Sequence, residues 1–338
     1  MYKVILTVLS SAFVLCLWLL PVLEKLAKKK GLITHESPEK IDKRKIPYIG
    51  GAGMFMVFFA VCLGAYLTAS LAINPRQLYL FLLVSAIIFF FGFYDDVKEL
   101  KPTQKLIGQS IGAVIFITFA MKTQIIYFNS FVNIVLSVFW IVVMINAFNL
   151  LDILDGLAGS ISIINIFVFF LFGIFTNNNF VILIAACLCG VLFAFLRYNL
   201  PPARIFMGDA GSQFLGFAQA MMAISLSFAP SGREVGLVIP LVILAIPLFD
   251  LLFVMFMRFR QKKSIFLKSN DHFVFKMLQF GISRQTILRI MIIMSALTNS
   301  CALIIFLVSN IFGAIIFCLV ISVLVLFGVR LSRLEISQ

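Results

Sequence analysis

Two adjacent carboxylates are the first feature with chemical potential. Asp95 and Asp96 lie where an apolar segment ends, and Lys98, Lys101 and Lys105 follow them. Adjacent carboxylates repel each other, so a cation, a proton or a nearby lysine must compensate their charge. Since carboxylates bind hard cations and lysine binds phosphate, this cluster is consistent with a site for a phosphate and a metal ion. A solvated helix end would explain the pair at least as well.

Four polar side chains repeat at intervals of three at the end of another apolar segment. They are Asn146, Asn149, Asp152 and Asp155, and Gly156 follows. In a straight α-helix each step of three turns the side chain by about −60°, so a break or a tighter turn is needed to align them. Amides and carboxylates at such a position are expensive in lipid. Hydrogen bonding between helices explains Asn146 but not the aspartates, so this ladder predicts a functional site.

A glycine-rich segment, Gly208-Asp209-Ala210-Gly211-Ser212, precedes a later apolar segment. Glycine permits close backbone approach. Asp209 or Ser212 could cap the helix that follows, and the first amides of that helix could receive a phosphate oxygen. An ordinary helix cap is the simpler interpretation of so short a motif.

Two further titratable residues lie nearer the C-terminus. Asp250 is an isolated carboxylate inside an apolar segment and should have a partner, for which Arg258 is a candidate. His272 follows Asp271 in a basic loop. A histidine beside an aspartate is also common on surfaces that have no catalytic role.

The elements that must position these residues are membrane helices. The chain has 338 residues, is 62% hydrophobic and contains 39 Phe, which excludes an ordinary soluble globule. We predict an all-α, polytopic membrane protein that forms a single catalytic domain over residues 1–338. Only Ser309 and Asn310 separate the last two apolar segments, so ten spans are the alternative to eleven. The predicted spans are 4–23, 49–72, 78–94, 106–122, 131–149, 158–176, 180–197, 211–229, 236–258, 286–309 and 311–330.

The distribution of basic residues predicts the orientation. With the N-terminus outside and the C-terminus cytoplasmic, 23 of the 27 Lys and Arg residues fall on the cytoplasmic side, where positive loops are retained. The polar motifs above fall on that side as well, apart from Asp250. The predicted cytoplasmic loops are 24–48, 95–105, 150–158, 197–211 and 258–285.

Taken in order, the Asp95-Asp96 pair, the ladder from Asn146 to Ala158 and the segment Phe206–Ser212 resemble the polyprenyl-phosphate N-acetylhexosamine-1-phosphate transferases. That family includes phospho-muramoyl-pentapeptide transferase, and the similarity covers nearly the whole chain. It implies transfer of a sugar 1-phosphate from a UDP-amino sugar to a polyprenyl phosphate such as undecaprenyl phosphate, with release of UMP. This would be the first membrane step of a cell-envelope glycan pathway, at the cytoplasmic face of the inner membrane.

The resemblance also implies roles for individual residues. Asn149 and Asp209 correspond to ligands of Mg²⁺, for which Mn²⁺ is an alternative. Asp95 and Asp96 correspond to the pair that positions or deprotonates the attacking lipid phosphate, and Lys105 to a phosphate-binding lysine. The catalytic residues would further include Asp152 and Asp155, which line the nucleotide and diphosphate pocket. The remaining substrate-binding candidates are Asn146, Gly208, Ser212, Asp271 and His272.

The sequence departs from the family pattern in three places. Ile153 replaces a usual Gly, and Tyr48 stands where Arg is common. The loop that recognises the sugar usually carries several His, whereas here only His272 remains, with Val274 and Phe275 at positions often held by His. We therefore expect UDP-GlcNAc as the donor, or else another UDP-N-acetylhexosamine, rather than the muramoyl-pentapeptide donor.

Two other functions are compatible with parts of the sequence. A transporter of an anionic substrate would also carry intramembrane Asn and Asp, but it would place them near the midplane and in both halves of the chain. An inactive family member acting as a scaffold would explain the loss of His from the sugar loop. The expected partners are the lipid phosphate, the UDP-sugar and the bilayer, with a homodimer implied by resemblance alone and no nucleic acid.

Overall fold

The chain folds into helices. The computed structural model describes residues 2–33, 46–68, 72–121, 125, 127–226, 228, 232–264 and 271–333. Within these residues the only β-type pairing is an isolated antiparallel bridge between Ile33 and Pro47. The prediction of an all-α fold is therefore confirmed. The chain divides into two compact units, one ending at Leu226 and the other formed mainly by the residues after it.

Among its described residues, the first unit contains eight helices. They are α1 (Tyr2–Lys30), α2 (Gly50–Thr68), α3 (Pro75–Lys98), α4 (Pro102–Phe119), α5 (Ser130–Leu151), α6 (Leu157–Phe175), α7 (Asn179–Asn199) and α8 (Gly208–Ser225). Asparagine side chains cap three of them: Asn74, Asn129 and Asn178 each accept a hydrogen bond from a backbone N–H in the first turn of α3, α5 and α7.

Helix α8 is the centre of the first unit. Every residue from Ala210 to Ala223 is buried, and the helix contacts α2, α3, α5 and α6. Its Phe214 and Phe217 lie against aromatic rings of the neighbouring helices, including Phe55 and Phe81. The residues that begin α8 are consequently surrounded by the ends of several other helices, which is how distant parts of the chain reach one place.

In the described part of the second unit, a 3₁₀ turn is followed by five helices. The turn spans Glu234–Val238, and the helices are α9 (Ile239–Ile243), α10 (Ala245–Arg260), α11 (Phe273–Gln279), α12 (Arg284–Leu307) and α13 (Asn310–Arg333). The segment Glu234–Ile243 and α10 meet at a bend of 73°. Since α12 ends at Leu307 and α13 begins at Asn310, the predicted boundary near residue 309 does separate two helices.

Each predicted span corresponds to a helix, or to the bent pair. Within the described part of the chain, eight helices are long and apolar enough to cross a membrane (α1, α2, α3, α5, α6, α7, α12 and α13), and the bent pair would make nine. Helices α4 and α8, at the predicted spans 106–122 and 211–229, are not among them and carry Gln109, Gln213 and Gln219. The count of eleven and the orientation therefore stay predictions, and much of the loop 24–48 lies outside the described residues.

Candidate active site

The ladder is broken where its spacing requires a break. Helix α5 ends at Leu151, Asp152 is its C-terminal cap residue, and α6 begins at Leu157 after Gly156, whose φ is +77°. Asn199, the last residue of α7, stabilises this turn, because its side-chain oxygen accepts a hydrogen bond from the Gly156 N–H at 3.0 Å. Asp155 faces the same region and accepts from the Ala203 N–H at 3.0 Å.

The two asparagines of the ladder contact different helices. The Asn149 amide donates to the Ser212 hydroxyl of α8 at 3.1 Å. The Asn146 amide donates to Gln109 of α4 at 2.7 Å, and Gln109 donates to Gln213 of α8 at 3.3 Å. Asn146 thus lies in a mostly buried hydrogen-bonded chain, while Asn149 lies beside the first turn of α8.

Lys105 joins two carboxylates that lie far apart in the sequence. Its ammonium forms an ion pair with Asp95 of α3 and a second one with Asp209 of α8, at 2.9 Å. The side chains of Asp95 and Asn149 also come within hydrogen-bonding range of the Asp209 carboxylate. Helices α3, α4, α5 and α8 therefore each contribute a side chain to one cluster, which we call the four-helix cluster: Asp95, Lys105, Asn149 and Asp209.

Asp96 points elsewhere, although it is adjacent to Asp95. One of its oxygens accepts from the Asp209 N–H at 2.7 Å and the other from the Ala210 N–H at 3.0 Å. These are the first amides of α8. The expectation that Asp209 or Ser212 caps this helix is therefore wrong. The amides of Asp209 and Ala210, which could receive a phosphate oxygen, here bind Asp96 instead. The Asp209 side chain is committed to Lys105, and the cap comes from another helix.

The segment before α8 is held against the start of α2. Phe206 donates its N–H to Pro47, while Gly50 and Gly51 donate to the carbonyls of Phe206 and Met207, all at 2.8–2.9 Å. Gly208, with φ +74°, then turns the chain into α8. Its role is therefore structural in part, because the left-handed conformation favours glycine.

Asp152 lies beside the four-helix cluster, and the pKa of its carboxyl is raised. Burial, together with the nearby carboxylates of Asp209 and Asp155, raises the pKa of its carboxyl to about 7. The side chain is accordingly able to hold a proton near neutral pH, which is the property of a group that exchanges protons with a substrate. Its assignment as catalytic stays a prediction.

The second unit holds its own buried polar group. His272 Nδ1 lies 3.1 Å from a carboxylate oxygen of Asp250, and both side chains are buried. Gln261 donates to Asp271 at 2.8 Å, and the buried Arg258 interacts electrostatically with both aspartates. Asp250 does have the partner that its position requires, but its hydrogen-bond partner is His272.

The two apolar residues at positions where the family often has histidine both lie in helix α11. Val274 is fully buried together with Phe273, and Phe275 lies beside the His272 ring with the centroids 6.3 Å apart. Apolar side chains at these positions build the short helix α11. His272 is therefore the histidine that residues 271–276 retain.

Sequence reasoning missed several polar contacts of the site. Gln109 and Gln213 were not singled out, although each is a polar residue within a predicted span and is therefore a signal of a buried partner. The Asp250 and His272 pair was also missed, because 21 residues separate them and nothing local links them. The roles assigned to the individual site residues stay predictions.

The donor atoms of the four-helix cluster suit a hard cation. Among the residues that the structure describes, no three Asp, Glu, His or Cys side chains are arranged to hold a metal ion by themselves. Mg²⁺ does not require such a group, because it keeps several waters and commonly binds one or two carboxylates together with substrate phosphates. Asp209 and the amide oxygen of Asn149 could supply that donor set.

Comparison with known proteins agrees with this geometry. Residues 78–227 match the family described as glycosyl transferase family 4. The chain is 27% identical over 275 residues, 78% of this chain and 75% of the relative, to a probable undecaprenyl-phosphate N-acetylglucosaminyl 1-phosphate transferase of Bacillus subtilis. It is 32% identical over 228 residues, 61% of this chain and 69% of the relative, to a phospho-N-acetylmuramoyl-pentapeptide-transferase of a Thermoanaerobacter species.

A third relative has a similar printed function. It is an undecaprenyl-phosphate alpha-N-acetylglucosaminyl 1-phosphate transferase of Thermotoga maritima, 28% identical over 203 residues, which is 60% of each chain. The matched region 78–227 contains the whole four-helix cluster. The chain therefore belongs to glycosyl transferase family 4, in the superfamily of the polyprenyl-phosphate sugar-1-phosphate transferases that its motifs indicate.

Proposed function

We propose that this protein transfers N-acetylglucosamine 1-phosphate from UDP-GlcNAc to a polyprenyl phosphate, with undecaprenyl phosphate as the natural acceptor. The names of the relatives from Bacillus subtilis and Thermotoga maritima support the acceptor and the sugar. The products would be a polyprenyl diphosphate sugar and UMP. The reaction would take place at the cytoplasmic face of the membrane, because the basic loops that border the four-helix cluster favour that side.

The observation that carries the proposal is the four-helix cluster. Asp209 and Lys105 are 104 residues apart in the chain, yet their charged groups lie 2.9 Å apart. Asp95 and Asn149 reach the same place from two further helices. A purely structural ion pair would not need two carboxylates, an ammonium and an amide at the ends of four helices. A site that brings phosphates together does need both kinds of charge.

The reaction joins two phosphates, so repulsion is its main obstacle. An oxygen of the lipid phosphate attacks the sugar-bearing phosphorus of the donor, and the bond from that phosphorus to the oxygen of UMP breaks. When bound, Mg²⁺ would screen the diphosphate charge and make UMP a better leaving group. Asp209 and Asn149 would hold this ion.

The other residues of the cluster would bind and orient the phosphates. The Lys105 ammonium is the positive group that could bind a phosphate oxygen as its contact with the carboxylates is exchanged. Asp95 keeps Lys105 in place and accepts a second hydrogen bond, from the Leu100 N–H at 2.6 Å. Asp152, which can hold a proton near neutral pH, would take up the proton of a monoprotonated lipid phosphate.

The sugar preference rests on a separate argument. The sugar loop offers His272 where related enzymes with larger donors carry a run of His, and Val274 is buried instead. A smaller set of polar groups suits a donor that lacks a peptide. We therefore favour UDP-GlcNAc over the muramoyl-pentapeptide donor, and another UDP-N-acetylhexosamine is second.

Purified protein tests the proposal directly. It should release UMP when incubated with Mg²⁺, undecaprenyl phosphate and UDP-GlcNAc, and it should release less with UDP-GalNAc or with the muramoyl-pentapeptide donor. Omission of the lipid phosphate is the control for simple hydrolysis. Absence of UMP with every donor would contradict the transferase and favour the scaffold. Movement of a UDP-sugar across a vesicle membrane without UMP release would favour the transporter.

A further inference from the structure

The Asp95-Asp96 pair is divided between two tasks by the fold. Asp95 binds the Lys105 ammonium and the Leu100 N–H, so it faces the four-helix cluster. Asp96 places one oxygen on the Asp209 N–H and the other on the Ala210 N–H, at 2.7 and 3.0 Å. Two neighbouring residues of one helix therefore have contacts of different kinds.

Helix α8 needs what Asp96 supplies. The first amides of a helix have no partner within the helix and are normally capped by the preceding side chain. Here the residue at that position is Met207, which makes no side-chain cap. Asp96 provides the missing acceptors from α3. Its negative charge also lies at the positive end of the α8 dipole, which is a favourable position for a carboxylate.

Two glycines make the approach of the two helices close enough for this contact. A Cβ atom added to Gly208 would lie 2.8 and 3.1 Å from the two carboxylate oxygens of Asp96. A Cβ atom added to Gly92 of α3 would lie 2.7 Å from the Ala210 Cα and 2.8 Å from the Asp209 carbonyl oxygen. Neither glycine position has room for a side chain, and a larger residue at either one would separate α3 from α8.

We propose that Asp96 is a positioning residue, whose task is to hold the first turn of α8 so that the Asp209 carboxylate faces Lys105, Asp95 and Asn149. This inference rests on the proposed function and refines the joint role that family resemblance implies for Asp95 and Asp96. Asp96 acts through the backbone of Asp209. The exchange of protons then belongs to the other acidic residues of the site, and the contact with phosphates belongs to Lys105.

Two variants separate positioning from acid-base chemistry. Asp96→Asn keeps one acceptor but turns an NH₂ group toward a backbone N–H. Gly208→Ala leaves every titratable group in place and pushes a methyl group into the Asp96 carboxylate. If Asp96 positions Asp209, both variants should bind Mn²⁺ about 10- to 100-fold more weakly, as loss of a supporting contact typically does. Raising the Mg²⁺ concentration should restore most of kcat in both.

A second readout does not depend on activity or on metal. Hydrogen exchange of the Asp209 and Ala210 amides in metal-free protein should be slow in the wild type, and in Asp96→Asn at least one of the two should exchange about tenfold faster or more, because that amide loses its acceptor. Glu99→Gln, three residues further along the same chain segment, is the matched control for loss of one negative charge. It should leave exchange, Mn²⁺ affinity and kcat close to wild type.

The outcomes separate this inference from the proposed function. If wild-type protein neither binds Mn²⁺ nor releases UMP, the proposed function fails. If the wild type does both, but Asp96→Asn loses kcat with unchanged Mn²⁺ affinity and unchanged amide exchange, Asp96 is a catalytic group and the positioning role is overturned. Wild-type behaviour of Asp96→Asn in all three measurements would overturn it as well.

Discussion

The Lys105 ammonium lies 2.9 Å from the Asp209 carboxylate and also pairs with Asp95. One positive charge is thus shared by two negative side chains, of which Asp95 is buried and Asp209 is partly exposed. Such a cluster has one more carboxylate than it has cations, so it attracts a further positive charge. This imbalance is the physical basis for placing a divalent cation beside Asp209 and Asn149.

Removal of the lysine charge should separate metal binding from turnover. In Lys105→Met the repulsion between the ammonium and an incoming cation is gone, so Mn²⁺ should bind severalfold more tightly. The group that binds phosphate is gone too, so kcat should fall by about 100-fold, within the range that loss of one electrostatic stabiliser produces. Mn²⁺ titration and UMP release measure the two effects.

Lys105→Arg is the matched variant because it retains the charge. It should leave Mn²⁺ affinity near wild type and keep more activity than Lys105→Met. Weaker Mn²⁺ binding in Lys105→Met would contradict the location of the metal beside this lysine.

The contact between α2 and α8 should tolerate no added methyl group. A Cβ atom at Gly51 would overlap the backbone of Gly211 and lie 2.5 Å from its Cα. Gly51→Ala should therefore lower the free energy of unfolding by about 1–3 kcal/mol, the typical cost of overpacking. Thermal unfolding in detergent measures the change.

Gly64 provides the matched control on the same helix, since an added Cβ there meets nothing within 4 Å. Gly64→Ala should leave the unfolding temperature unchanged or raise it slightly, because alanine favours the helix. Equal destabilisation by the two substitutions would show that Gly51 is not a close-contact position.

Asp152 should make the stability of metal-free protein depend on pH. Its pKa is about 7 in the folded state against 3.8 in the unfolded chain. Between these values the folded state binds the proton and the unfolded state does not, so the free energy of unfolding should fall as pH rises from about 4 to about 7. Below about pH 4 the ionisation of Asp152 does not lower the free energy of unfolding, and above about pH 7 the full decrease has occurred.

Asp152→Asn cannot ionise and should remove this part of the pH dependence. Chemical unfolding at several pH values in the presence of a chelator would test it. A wild-type profile that rises through the window, or one that Asp152→Asn leaves unaltered, would contradict the assignment.

Asp250 and His272 should behave as one unit in sugar transfer. The carboxylate orients the imidazole through Nδ1 at 3.1 Å. His272→Gln and Asp250→Asn should each lower kcat/KM for UDP-GlcNAc, and the double variant should lose little more than the worse single variant. Interacting residues are expected to deviate from additivity in this way.

A double-mutant cycle on kcat/KM supplies the coupling free energy. Fully additive losses would show that the Asp250 contact does not serve the function of His272.

Part of the site could be predicted from the sequence because its residues belong to local motifs. The spacing of Asn146, Asn149, Asp152 and Asp155 required a break in a helix, and the structure has that break after Leu151. Apolar segments of sufficient length marked the helices, since burial in lipid demands a near-continuous apolar run. Helix type and approximate bounds followed from that physics.

The contacts between motifs could not be read in the same way. Nothing near Asp96 indicates that its partners are amides of residues 209 and 210, because such pairing depends on how α3 meets α8. The same holds for the bend of 73° before α10 and for the neighbours of Asp250. Tertiary contacts decide these features, and local sequence constrains them only through polar residues and glycines in unexpected places.

Mn²⁺ binding to purified protein tests the central claim most directly, because the claim is that Asp209 and Asn149 hold one divalent cation. Wild-type protein should bind a single Mn²⁺ that Mg²⁺ displaces. Asp209→Ala should abolish this binding, Asn149→Ala should weaken it by at least about tenfold, and Glu99→Gln should leave it unchanged. Undiminished binding of that ion to Asp209→Ala, in protein that remains folded, would contradict the account.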